Sequence, residues 1–138
     1  MVKRAITIKG MKRREPTESE IQQQFVAWLD IKAQKDERYR CFFKVPNETR
    51  GNYGWLTKLK KEGLKKGVPD MLCIEPHGEF RWLALEFKRN QRCKLTDEQK
   101  TWMARFSGRR WLALIVYTAE QAMAITEHYM EWPALLRR

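Results

Sequence analysis

The chain has 138 residues, enough for one domain and one stable core. Hydrophobic residues make up 43% and aromatics 12%, six of them Trp, a composition that excludes disorder; no apolar run approaches the ~20 residues needed to span a bilayer. Lys and Arg number 28 against 17 acids, a formal charge of +11 that points to a polyanionic partner, most simply nucleic acid.

Residues 1–16 hold six Lys/Arg and one acid, end at Pro16 and show no sustained period, so they read as a flexible basic arm preceding a single domain over 17–138. Lys3 and Arg4 are followed only by Ala5-Ile6-Thr7-Ile8, too short for a signal-peptide core, and the expected location is the cytoplasm. Thr17 opens a helix to about Lys35, with Ile21, Phe25, Trp28 and Leu29 as its apolar stripe. Cys41–Val45 reads as a strand stopped by Pro46-Asn47, and 47–67 as loop with one short Lys-rich helix around Trp55–Glu62.

Met71–Glu75 and Phe80–Lys88 form a hairpin across Pro76-His77-Gly78-Glu79. Leu95-Thr96 starts a helix that runs through Phe106, turns Trp102, Met103 and Phe106 inward, and ends at Gly108. Trp111–Tyr117 is apolar on both faces, the pattern of a central strand covered by helices. Thr118 begins a last helix through about Met130, so the order is α, three strands, α, β, α.

Centring the hairpin on Gly78 pairs Glu75 with Arg81, Cys73 with Leu83, and Met71 with Leu85 on one face. Ile74 then meets Trp82 and Leu72 meets Ala84 on the other. The next pair on that second face is Asp70 with Glu86. Two carboxylates so placed repel unless a cation lies between them, and Mg²⁺ or Mn²⁺ takes one or two carboxylates together with phosphate oxygens and water. Strand alternation puts Lys88 on the same face, and the Phe87 carbonyl lies at its edge as a further ligand. The bland alternative is a cross-strand Asp70–Lys88 ion pair with Glu86 in solvent.

Gly67-Val68-Pro69-Asp70 followed by Glu86-Phe87-Lys88 resembles the PD-(D/E)xK nuclease signature. With Glu20 and Gln24 on the first helix, Asn47 after the first strand and Gln99 after Lys88, the stretch 17–118 resembles the virus-type replication-repair nuclease (VRR-NUC) family. That resemblance implies an α/β, restriction-endonuclease-like αβββαβ core with a mixed sheet between helices. It also implies divalent-metal nuclease activity leaving 5′-phosphate and 3′-hydroxyl ends, and similarity of the stand-alone viral members to Holliday junction resolvases, which act as homodimers on branched DNA in repair. It makes Asp70, Glu86, Lys88, Glu20 and Gln99 the catalytic set, with Asp70, Glu86, Phe87 and Glu20 at the metal. Glu20 and Gln99 have a structural reading as well: Thr17-x-x-Glu20 and Thr96-x-x-Gln99 are both helix capping boxes.

Basic groups flank both ends of this site. Asn47, Arg50, Lys58, Lys61, Lys65 and Lys66 precede Asp70, while Arg89, Arg92 and Lys94 follow Lys88, where a phosphate backbone would lie. His77 and His128 lack ligand spacing, and the three cysteines are too far apart for zinc. The alternatives left open are a non-catalytic nucleic-acid-binding module on the same fold, and a flap-, end- or RNA-directed nuclease.

Overall fold

The computed structural model describes residues 14–46 and 52–132. Most of the basic arm, and Asn47 and Arg50 with it, lies outside them. The elements in chain order are α1 (Glu18–Ala33), a 3₁₀ turn (Glu37–Cys41), β1 (Phe42–Lys44), α2 (Tyr53–Lys61), β2 (Met71–Cys73), β3 (Trp82–Phe87), α3 (Asp97–Ser107), β4 (Trp111–Val116) and α4 (Ala119–Glu131). This is the expected αβββαβ succession, with α2 inserted and α4 appended. The 3₁₀ turn is an addition, started by Asp36 accepting from the Arg38 N–H at 3.1 Å.

The four strands lie in the order β1-β2-β3-β4, antiparallel up to β3 and parallel between β3 and β4. Leu83, Leu85 and Phe87 turn to one face of β3 and are fully buried. There Phe25 of α1 meets Phe87 at 5.8 Å and Phe42 at 5.6 Å between ring centroids. Ile21, Phe25 and Leu29 are buried as the helical stripe requires, and α4 adds Ala122, Tyr129 and Met130 to the same core. The opposite face, with Trp82, Ala84 and Glu86, is covered by α3. The result is an α/β/α layering in which the α1–α4 side carries most of the buried core.

The β2–β3 register is the expected one: Met71 with Leu85, Leu72 with Ala84, Cys73 with Leu83. It changes at the tip. His77 pairs with Phe80, so the turn is Gly78-Glu79, with Gly78 at φ +58°, one residue off the register below it. Glu75 therefore does not pair with Arg81. Its carboxylate lies 3.7 Å from His77 Nε2, while the Arg81 N–H donates to the Arg110 carbonyl at 2.8 Å.

One other expectation is corrected. β4 is an edge strand and not a central one; its residues are apolar on both faces because helices approach from both sides, but among the described residues no strand pairs with its outer edge. Trp102, Met103 and Phe106 turn inward as expected, being less exposed than Thr101, Ala104, Arg105 and Ser107 around them, but they stay half-buried.

Candidate active site

Asp70 lies one residue before β2's first pair, and its carbonyl accepts the Val45 N–H from β1 at 2.9 Å. Continuing the register by one residue sets it opposite Glu86 at the end of β3. Asp70 Oδ2 accepts the Phe87 N–H at 2.7 Å. Because a strand residue's N–H and C=O point to the same side, the Phe87 carbonyl also turns toward Asp70.

Gly67 explains how the loop reaches this position. It is buried at φ +87°, and a Cβ there would stand 2.7 Å from backbone atoms of Glu98 and Gln99. Only glycine lets the chain cross the N-terminus of α3 so closely before Pro69-Asp70.

Glu86 is 2% exposed and Lys88 7%, so both charges sit inside the protein. Lys88 Nζ lies 3.4 Å from Glu86 Oε1 and donates to Gln99 Oε1 at 3.0 Å. The Gln99 amide nitrogen donates to Glu86 Oε1, and Gln99 Oε1 also accepts the Thr96 N–H at 2.9 Å. The capping box and the site contact are thus one arrangement: the amide's oxygen closes the helix end while both its ends hold the two charged groups. The bland alternative fails on its own terms, because Glu86 is buried rather than solvated and it is Glu86, not Asp70, that stands beside Lys88.

The electrostatics are unfavourable as they stand. Burial pushes the Glu86 carboxyl up to about 8, the Asp70 charge adds to this, and Lys88 opposes it. Asp70 is raised too, mainly by burial, against the Phe87 N–H that favours its charged form. Glu86 Oε2 is buried with no hydrogen-bond partner. A buried carboxyl oxygen without a partner, close enough to Asp70 to feel its charge, is relieved by a proton or by a hard cation. No three His, Cys, Asp or Glu side chains among the described residues converge as a ready-made metal cage. Mg²⁺ does not need one, since it keeps water and substrate oxygens in its shell.

On α1 the two first-turn acids divide. Glu20 accepts the Thr17 N–H at 2.7 Å and pairs with Arg14 at 2.7 Å, contacts that hold its carboxyl below the usual range. It is Glu18 whose charge acts on both Asp70 and Glu86. The family resemblance named Glu20 and passed over Glu18, although Glu18 stands three residues before Ile21 on the side of the apolar stripe.

Of the expected DNA contacts, Lys58, Lys61, Lys65, Lys66, Arg89, Arg92 and Lys94 are exposed, and Asn47 and Arg50 lie outside the described residues. Lys58 pairs with Glu62 at 3.8 Å and lies 5.7 Å from the centre of the Trp55 ring. Lys66 lies 3.6 Å from Glu98, and Arg89 and Arg92 lie 3.6 and 3.5 Å from Glu15. Lys61, Lys65 and Lys94 make no ion pair among the described residues. No described helix is long and apolar enough to cross a membrane.

No family model matches the chain, and no curated protein sequence matches it. Solved structures do. One, a "VRR_NUC domain protein", superposes with a TM-score of 0.74 at 20% identity, covering 88% of this chain and 93% of that one. Another, a "VRR_NUC domain", gives 0.52 at 20% identity over 83% of this chain and 99% of that one. The chain has the fold of the VRR-NUC domain, restriction-endonuclease-like in architecture, as the residues around Asp70 and Glu86 led us to expect.

Proposed function

We propose that the protein is a divalent-metal-dependent endonuclease that hydrolyses DNA phosphodiester bonds, selects branched structures and works as a homodimer. The observation that carries this reading is the buried, unpartnered Glu86 Oε2 beside Asp70, at the end of a central strand and next to a buried lysine. Asp70, Glu86 and the Phe87 carbonyl would hold Mg²⁺ or Mn²⁺. When bound, such an ion polarises the scissile phosphate and lowers the pKa of the attacking water. Glu18, rather than Glu20, is the α1 acid we assign to this site. Lys88 donates from Nζ to the attacking water or to the charge that develops on the phosphate. Gln99 positions Lys88 and Glu86 through its two amide ends.

The lysines of α2 and of 65–66, with Arg89, Arg92 and Lys94, flank the carboxylates on the chain and supply the backbone contacts that place the scissile phosphate. The deciding experiment uses purified protein with Mn²⁺ or EDTA and a panel of single-stranded, duplex, flap and four-way-junction DNA, with matched RNA. Cutting of branched DNA in Mn²⁺ alone is the expected result. Binding without cutting in either condition would leave a non-catalytic module on the same fold, and preferential cutting of the RNA would reassign the substrate.

A further inference from the structure

Among the described residues α3 lies over the sheet face that carries Glu86, and its cover is incomplete at the end away from the carboxylates. There the last turns of α3 and the start of β4 leave a groove of about 220 Å³ lined by Trp102, Arg105, Phe106, Arg109 and Trp111. Ring contacts run through it, Phe106 to Trp111 and Trp111 to Trp82 each at 4.6 Å between centroids, and all three rings are half-buried. Each of the three rings keeps part of its surface open to solvent.

The neighbouring charges identify the occupant. From Thr101 through Tyr117 the chain has no carboxylate and three arginines, Arg105, Arg109 and Arg110. None of the three makes an ion pair among the described residues. The Arg105 guanidinium lies 4.7 Å from the centre of the Trp102 ring. Arg110 holds φ +65°, a conformation that disfavours L side chains, although Gly108 stands two residues earlier in ordinary helical geometry. Flat rings interleaved with guanidinium groups fit bases that stack and phosphates that pair.

We propose that this groove is a second nucleic-acid contact, holding unpaired bases of the strand cut at Asp70, Glu86 and Lys88. Trp82 and Glu86 share one face of β3 four residues apart, roughly 13 Å at ~3.3 Å per residue. That distance is spanned by a few nucleotides of an unpaired strand. The inference rests on the nuclease reading and adds a substrate class: DNA with unpaired bases a few nucleotides from the scissile phosphate, such as a flap or an open branch, over continuous duplex.

The test measures binding by the full chain in EDTA, so that nothing is cut, to a labelled duplex and to the same duplex carrying a single-stranded flap. The double variant Arg105→Gln/Arg109→Gln, and separately Trp102→Ala, should lose about tenfold or more in flap affinity while duplex affinity changes little. The arginine pair is exposed, so it answers the question even if Trp102→Ala folds poorly. Arg110→Gly should melt no lower than wild type and still weaken flap binding, a split that a merely structural arginine would not give. Equal weakening on both DNAs, or none, overturns the proposal. So does a change in sedimentation with flap affinity intact, which would make the groove a self-association surface. Wild-type cleavage in Mn²⁺, measured alongside, separates the two claims: cutting without groove dependence removes only this inference, and groove-dependent flap binding without cutting removes only the nuclease reading.

Discussion

Glu86 and Asp70 are held as carboxyls whose charged forms the folded protein disfavours, and this has a definite sign. Both groups bind protons more tightly folded than unfolded, so between pH ~4.5 and ~8 the native state carries more protons than the unfolded chain. Metal-free protein should therefore lose stability as pH rises through that window, by several degrees of melting temperature. Mn²⁺, which binds the deprotonated pair, should flatten or reverse the trend. Asp70→Asn in EDTA should melt at or above wild type, because the amide oxygen can still accept the Phe87 N–H and one like charge is gone. Melting curves over pH with and without Mn²⁺ check all three, and a metal-free protein that gains stability toward pH 8 would contradict the assignment. The first-turn acids offer a second residue-scale comparison. Glu18→Gln should cut cleavage by tenfold or more with little change in melting temperature, whereas Glu20→Ala, which removes the side chain that closes the cap, should lower the melting temperature and spare the rate. Equal rates for the two variants would remove Glu18 from the site. The sequence carried this distinction in its apolar stripe: Glu18 stands three residues before Ile21 and seven before Phe25, on the side of α1 that packs on the core, while Glu20 lies about 200° from Glu18 around the helix.

At the scale of elements, the site is made by three chain segments that meet at the end of β3, and Gly67 is what allows the meeting. Gly67→Ala should destabilise the fold by about 2 kcal/mol or more, since it combines a positive-φ penalty with a backbone collision, and should abolish cleavage with it. Denaturant melts and cleavage assays on the one variant decide this; a stable, active Gly67→Ala would show that the loop has another route across α3. The β2–β3 register could be read in advance because strand alternation has a period of two and one face of β3 must be buried, so a slip of one residue would turn Leu83 and Leu85 to the wrong side. The hairpin tip escaped that logic because it is pinned by His77, buried against Tyr129 at 5.4 Å between ring centroids, and a lone histidine in a turn gives no alternation to read. β4 was misread as central because apolar residues on both faces report helices above and below, not strands to either side. Gln99 was read as either a cap or a site residue. Residue type alone does not show that one amide can serve a helix end and two charged groups together.

For the whole molecule, the charge of +11 has its densest runs in the arm over residues 1–16 and in the segments 58–66 and 88–94 that flank the carboxylates along the chain. Affinity for duplex DNA should fall steeply with salt, at ~0.9 in log–log slope for each phosphate neutralised, and deleting 1–13 should flatten the slope while leaving the fold intact. An unchanged slope would make the arm a bystander. The account as a whole stands on the claim that Asp70, Glu86 and Lys88 form a metal-dependent cutting site. Lys88 is the group to remove, because it acts on the reaction without being assigned as a metal ligand. The most direct measurement is cleavage of branched DNA by purified Lys88→Ala in Mn²⁺, with binding of the same DNA measured in EDTA. We expect wild-type binding and a cleavage rate lower by about 10²–10³ or more, the scale for removing one transition-state donor. A folded Lys88→Ala protein that cuts at near-wild-type rate would contradict the account.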